Sequence, residues 1–435
     1  MDRFITKKLL DWKNRPNRKP LILRGARQVG KTHTVLDFGR SHFKGKVHHV
    51  DLEKHPEWHR VFEKDLAAKR ILSELEILVN ARITPGTDLL FIDEIQTCPR
   101  AIMALRYFYE EMPELHLIAA GSLLEFATKQ ISFSVGRVQI LNMFPMSFPE
   151  FLYATGKSTA AEVVLSAVTK QPDAIHNMLL DELRRYFFIG GMPECVKIFV
   201  ETGKLKDAFE VQADLVNTFR QDFLKYTPYV DPRCLNSVLT ATAKHVGHQI
   251  KYSKLAEGFT NPTIKKAFDL LSLAQVIRKV PATSPAGLPL GAAASERKFK
   301  ALMLDIGLMQ HLCSLPVEVE YAKSDLLSIY QGALAEQFVG QEMLCAGQTD
   351  LYYWAREAKS SSAEVDYLIV KDGKIHPIEV KSGAAGKLKS LHLLLQNYPN
   401  CTSGYVFSSA SYAELPEQKL IFLPLYYAFQ TGRLE

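Results

Sequence analysis

The eight residues Gly25-Ala26-Arg27-Gln28-Val29-Gly30-Lys31-Thr32 fit the spacing GxxxxGK[ST]. They follow the apolar run Leu21–Leu23 and precede a helical pattern that begins near Thr34. A strand that ends in such a loop and reopens as a helix is the setting in which this motif binds phosphate. The glycines let backbone N–H groups close around phosphate oxygens, and the helix N-terminus adds positive potential. On this reading Gly25 to Thr32 hold a nucleotide. Lys31 reaches the β- and γ-phosphates, and the Thr32 hydroxyl is a ligand for Mg²⁺.

A second apolar run, Leu89–Ile92, ends in Asp93-Glu94. A buried strand that delivers two carboxylates beside a phosphate loop suits Asp93 to hold Mg²⁺ and Glu94 to polarise the attacking water. A third run, Leu115–Ala120, ends in Gly121-Ser122. Ser122 is either a polar sensor of the γ-phosphate or the N-cap of a helix over Leu123–Thr128. Arg137 follows a glycine in Ser134-Val135-Gly136-Arg137. It is either a finger that reaches a neighbouring subunit's γ-phosphate or a surface arginine.

The short apolar runs of residues 21–155, with Val47–Leu52 among them, alternate with amphipathic segments. This pattern predicts a parallel sheet covered by helices on both faces. A helix is expected within residues 1–20, and helical periodicity dominates 160–245. Residues Pro281–Ser295 carry Pro, Gly and Ala and read as an exposed loop or linker. Beyond Lys323 the pattern predicts a long helix, strands at 351–354, 364–370 and 375–380, a helix near 387–397 and a strand near 403–407.

With 47% apolar and 23% charged residues, the chain of 435 is neither disordered nor collagen-like. No run of 18 apolar residues is present, so no membrane-spanning helix is expected. The N-terminus lacks an apolar signal core. Cys98, Cys195, Cys234, Cys313, Cys345 and Cys401 are scattered without a CxxC pair. That argues against a zinc site and for reduced thiols in a cytoplasm.

Together RGARQVGKT, LFIDEIQ, AAGSLLEF and SVGR…FPMSFPEF resemble the AAA-type ATPases of bacteria and archaea whose ATPase module precedes a C-terminal domain of unknown function. The resemblance spans about residue 4 to residue 425. It extends to Gly190-Gly191-Met192-Pro193-Glu194. Related ATPases carry GxP near this place in a helical lid, which implies Gly191 and Pro193 as nucleotide neighbours. A helix-ending turn is the alternative there. A homo-oligomer is the expected assembly, since Arg137 as a finger acts across a subunit interface.

Residues 234–280 read as helix, turn, helix and two short strands, a winged-helix order that the resemblance also implies. Helices are expected at Leu235–Val246, Tyr252–Glu257 and Pro262–Leu271, the last capped by Asn261, with a wing starting over Ala274–Val280. From 244 to 280 seven basic residues (Lys244, Lys251, Lys254, Lys265, Lys266, Arg278, Lys279) face two acids, a local charge of +5 in a chain of net +6. Such a segment suits DNA phosphates, with a solvated face or a protein contact as the other readings.

In the C-terminal region Asp366 lies in one expected strand, and Glu379-Val380-Lys381 ends the next. Alternation puts Glu379 and Lys381 on one face, where Asp366 can join them. Two carboxylates can hold Mg²⁺ or Mn²⁺ while the lysine orients or deprotonates water. Glu336 can add a further acid. The arrangement resembles the PD-(D/E)xK nuclease core, some members of which keep the fold for binding alone.

The expected architecture is therefore multi-domain α/β. It comprises an AAA+ P-loop core (1–155), a helical lid (156–233), a basic winged helix with linker (234–295) and a restriction-endonuclease-like domain (296–435). The expected function is a Mg²⁺-dependent ATPase coupled to DNA binding, with metal-dependent DNA cleavage as an added activity. The alternative is an ATP-driven signalling or scaffolding switch.

Overall fold

The computed structural model describes residues 1–122, 124, 136–223, 230–314, 332–358, 361–381, 383 and 387–433. The chain divides into one unit of Met1–Phe144 with Leu273–Gln275 and another of Pro145–Ser272 with Val276–Glu435.

In the first unit β1 (Leu21–Arg24), β2 (Val47–Asp51), β3 (Leu89–Asp93), β4 (His116–Gly121) and β5 (Gln139–Asn142) form a sheet in the order β2-β3-β4-β1-β5. Every pairing is parallel. All residues of β3 and β4 are buried, because helices cover both faces of the sheet. The helices are α1 (Ile5–Lys13), α2 (Lys31–His42), α3 (Ala68–Leu78) and α4 (Pro99–Glu111). In α3 the buried residues Ala68, Ile71, Leu72 and Leu75 recur at helical spacing, so one stripe faces the sheet. Pro99 opens α4 where its missing N–H costs nothing, and Ala101, Ile102, Leu105 and Phe108 point inward. They pack with Ile22, Leu90, Ile92, Leu117 and Ala119 in one core. The four expected strands are present to within one residue. The fifth, β5, has only half-buried or exposed positions, so it carried no apolar signal.

In the second unit the helical stretch resolves into α5 (Phe148–Ala154), α6 (Ser158–Leu165), α7 (Asp173–Ile189), α8 (Pro193–Thr202), α9 (Leu205–Asp222) and α10 (Pro232–Lys244). Then come a single 3₁₀ turn at Tyr252–Lys254, α11 (Asn261–Leu273) and the antiparallel pair β6 (Ile277–Pro281) and β7 (Phe299–Met303). The helix expected over Tyr252–Glu257 is thus reduced to that turn. Helix α11 begins at Asn261, so Thr260 precedes it, and the Thr260 and Thr263 hydroxyls lie 3.0 Å apart.

The stretch Pro281–Ser295 is a loop of the hairpin, exposed at 286–289 and 291–293 as expected but anchored at both ends rather than a free linker. Ala282, Thr283 and Leu290 are buried, and the Thr283 N–H donates to the Tyr353 carbonyl at 2.9 Å. Sequence reading missed only these anchors, because Pro, Gly and Ala carry no signal that distinguishes them from the exposed residues between. Strand β7 pairs with β6, so the hairpin straddles the boundary expected at 295/296.

After α12 (Ile306–Leu312) comes α13 (Ala333–Ala346), followed by β8 (Tyr352–Ala358), β9 (Ser361–Lys371), β10 (Lys374–Val380), α14 (Lys389–Asn397), β11 (Gly404–Ser408), β12 (Ala413–Leu415) and β13 (Leu420–Pro424). The strands form a mixed sheet, ordered β12-β13-β11-β10-β9-β8. Helix α13 is buried almost all round, including Glu336, Gln337, Gln341 and Glu342. Those polar side chains pair with backbone groups or a cation. The Met303, Ile306 and Phe148 N–H groups donate to Gln337, Gln341 and Glu342, each at 2.9 Å. Burial of polar groups is tolerated when they are paired in this way. Leu391 and Leu394 of α14 pack on Val365, Leu368 and Val406.

Candidate functional site

The C-terminal ends of β1, β3 and β4 meet at one edge of the first sheet, since Arg24 pairs with Gly121 and Ile92 with Ala119. The loop that leaves β1 turns sharply. Gln28 has φ 63° and Gly30 has φ 94°, both left-handed, and α2 starts at the next residue. Such geometry exposes successive N–H groups to an anion. Gly25 is required by space, because a Cβ there would lie 2.4 Å from the Met143 carbonyl oxygen.

Lys31 is buried, and its ammonium donates to the carbonyls of Gly25 (2.9 Å) and Ala26 (2.8 Å). Burial pushes its pKa down to about 8, against the upward pull of Glu94 and Asp93. The Thr32 hydroxyl donates to Asp93 Oδ2 at 2.7 Å. Two hard oxygen donors so close together fit a Mg²⁺ ion, which Thr32 and Asp93 would hold. Arg27 faces Glu53 at 3.4 Å.

Glu94 ends β3 in a left-handed conformation, φ 49°. A non-glycine residue held there is strained, and such strain concentrates at functional positions. Burial raises its carboxyl pKa, while the bond from Gln96 and the Lys31 charge oppose the rise. Gln96 Nε2 donates to Glu94 Oε2 at 2.5 Å. Among the described residues the Ser122 hydroxyl is buried without a partner, as is Gln96 Oε1. Three residues of this edge escaped sequence reading. Gln96 stands two positions past Glu94. His49 stacks on Phe91 with centroids 5.0 Å apart and lies 3.4 Å from Asp93 Oδ2. Arg3 donates to the Val29 carbonyl at 3.0 Å. Only Gln96 had a visible signal, as part of the run DEIQ.

Apart from Arg3, these residues fall within a match to a known family. Residues 17–152 match the model of an AAA domain. That stretch is similar to AAA domains. Residues 180–318 and 331–427 match two further models, each described as a domain of unknown function, DUF8612 and DUF4143. No curated protein matches. Among solved structures the chain is similar to the Walker-type ATPase PABY2304 of Pyrococcus abyssi, at 15% identity and TM-score 0.46, over 72% of this chain and 95% of that one. It is also similar to the Aeropyrum pernix ORC1 protein in complex with DNA, at 10% identity and TM-score 0.27, over 72% and 91%. A RuvB variant from Thermotoga maritima gives 16% identity and TM-score 0.30, over 64% and 89%. These scores are too low to bear on function.

Arg137 sits just before β5, whose Gln139 pairs with Leu21 at the start of β1. It therefore lies at the sheet edge opposite the phosphate loop. Its Nε is 3.2 Å from Glu110 Oε1 and its guanidinium 5.9 Å from the Tyr109 ring centroid. Ser134 and Val135 of its motif, and most of Leu123–Thr128, lie outside the described residues.

In the second unit Gly190 and Gly191 wrap around Asp305. A Cβ on Gly190 would lie 2.1 Å from Asp305 Oδ1, and the Gly191 N–H donates to Oδ2 at 2.6 Å. Burial raises the Asp305 pKa to about 6 against the backbone bonds it accepts. Pro193 opens α8. In the basic segment Lys265 and Lys266 are exposed on α11. Arg278 and Lys279 instead serve the fold, donating to the carbonyls of Thr349 and Glu296. An open groove of about 420 Å³ on α10 is lined by Arg220, Asn236, Lys244 and His245.

The C-terminal constellation is assembled by β9 and β10. Tyr367 pairs with Ile378, so Asp366 and Glu379 stand one step beyond that pair. Asp366 Oδ2 accepts the Val380 N–H at 2.8 Å, and Lys381 Nζ lies 2.5 Å from Glu379 Oε1. Burial, with Asp366 beside it, raises the Glu379 pKa despite Lys381. Sequence reading missed Lys300 of β7, whose side chain is 3% exposed. Its ammonium meets Glu336 at 2.9 Å, Glu364 at 2.6 Å and Asp366 at 3.2 Å. Burial alone would lower its pKa, but the three carboxylates outweigh burial and hold it well above its usual range. The signal was present: a lysine inside the fully buried strand Phe299–Met303 needs a partner.

Proposed function

We propose that the chain is a Mg²⁺-dependent ATPase whose nucleotide state controls a DNA-engaging second unit, working as a homo-oligomer. The observation that carries the ATPase reading is the convergence of Lys31, Thr32, Asp93 and Glu94 at one sheet edge. In this reading the loop N–H groups and Lys31 bind the phosphates and spread their charge. Thr32 and Asp93 hold Mg²⁺, which supplies further neutralisation of phosphate charge. Glu94, oriented by Gln96, takes the proton of the attacking water, and Ser122 donates to the γ-phosphate. Gly191 and Pro193 are proposed as lid neighbours of the nucleotide.

DNA binding is supported by exposed Lys265 and Lys266 and by the groove beside Lys244. The test is ATP hydrolysis with and without duplex DNA, at rising salt. Stimulation that falls steeply with salt is expected, because each neutralised phosphate releases counterions. Charge reversal at Lys265 and Lys266 is expected to flatten that slope. Hydrolysis indifferent to DNA at every salt concentration would favour the signalling switch. A second reading, cleavage of DNA by the second unit, starts from the meeting of Asp366, Glu379 and Lys381 and requires a divalent ion held there.

A further inference from the structure

The pocket of Asp366 and Glu379 already contains a cation. Lys300 enters from β7 and touches one oxygen from each of three carboxylates, at 2.6–3.2 Å. These acids come from separate places: Glu336 from α13, Glu364 and Asp366 from β9. The lysine is therefore the point at which hairpin, helix and sheet are tied together.

A Mg²⁺ or Mn²⁺ ion would need these same oxygens at roughly 2.0–2.2 Å. Lys300 already supplies the positive charge at Asp366. Oδ1 faces the Lys300 ammonium and Oδ2 accepts the Val380 N–H. Glu336 Oε1 is likewise engaged by Lys300. On the far side Lys381 binds Glu379 Oε1. Among the described residues Glu379 Oε2 is buried without a partner. A divalent ion bound among these acids would sit against the Lys300 and Lys381 ammonium groups, and that like-charge repulsion is why the residues present do not fit a metal.

We propose that Lys300 is the resident cation of this pocket and stands in place of a divalent metal. The natural chain then takes no Mg²⁺ or Mn²⁺ between Asp366 and Glu379 and cuts no phosphodiester there. The site's work is to fasten the β6–β7 hairpin to the C-terminal sheet. The inference bears on the cleavage reading alone, and its test uses no nucleotide, so failure of the ATPase reading leaves it intact.

The experiment is calorimetric titration of MnCl₂ into the full chain carrying Asp93→Asn, which removes the ATPase-site ligand. No saturable site is expected. Adding Lys300→Met leaves three carboxylates without their cation and is expected to create one Mn²⁺ site. That site should be on the order of 10²-fold tighter than any residual binding in the parent, and Asp366→Asn should abolish it. A Mn²⁺ site in the parent that Asp366→Asn removes would overturn the proposal. So would a folded Lys300→Met chain that binds no Mn²⁺. If Lys300→Met does not fold, the parent with and without Asp366→Asn decides alone.

Discussion

Lys31 carries its charge where burial opposes it. Its pKa stands near 8, and it donates to two loop carbonyls. Bound phosphates favour the charged form, so nucleotide binding above that pH must take up a proton. The sign follows: affinity is full below about pH 8 and falls by up to about tenfold per unit above it. Measuring ATP affinity from about pH 7 to about pH 9.5 checks this, with Lys31→Gln expected to be weak and flat across the range. A wild-type Kd that holds constant over that span would contradict the lowered Lys31 pKa, and a Lys31→Gln affinity equal to wild type at about pH 7 would remove Lys31 from phosphate recognition. Glu94 is the complementary case. Burial raises its pKa towards the range in which a carboxylate works as a base, while Gln96 and Lys31 keep it ionisable.

At the scale of elements, β5 decides what Arg137 can do. The strand runs parallel to β1, and Arg137 precedes its first residue. A four-residue strand spans roughly 13 Å, so Arg137 and the phosphate loop of the same chain lie at opposite edges of the sheet. Arg137 can serve a phosphate only on a neighbouring copy. Arg137→Ala is then expected to bind ATP normally and hydrolyse it slowly. Mixing it with Glu94→Gln chains should partly restore turnover, since each supplies what the other lacks. A chain that stays monomeric with ATP in sedimentation, or mixtures no faster than the sum of their parts, would make Arg137 a surface arginine.

The elements that sequence showed clearly are those with one dominant constraint. The strands β1, β3 and β4 are apolar because both faces are covered, and the phosphate loop is marked by glycines that space and φ demand. The rest was hidden for identifiable reasons. Helix α13 is buried all round, so it has no polar face to betray its orientation. The short strand β12 is fully exposed and β13 only partly buried, which leaves little alternation to read. The Lys300 cluster joins residues 36 and 66 positions apart, and such pairing is set by topology rather than by spacing.

At the scale of the molecule, chemistry and charge lie in different units. The phosphate loop and the acids of β3 belong to the first, whereas the segment that carries +5 of the net +6 lies mainly in the second. Cys98, Cys195, Cys234 and Cys401 are buried thiols. Among the described residues no helix is long and apolar enough to cross a membrane. A nucleotide can move the second unit only through its differential affinity for two states of the chain, so hydrolysis is the event on which everything else depends. The measurement that bears on it most directly is Glu94→Gln, which keeps shape and hydrogen bonding but removes the charge beside the water. ATP affinity and steady-state turnover are to be read on the same preparation with Mg²⁺. Affinity is expected to stay within about threefold of wild type while turnover falls by about 10²-fold or more, on the order of 2.7 kcal/mol of barrier. Equal turnover in the two proteins would contradict the account.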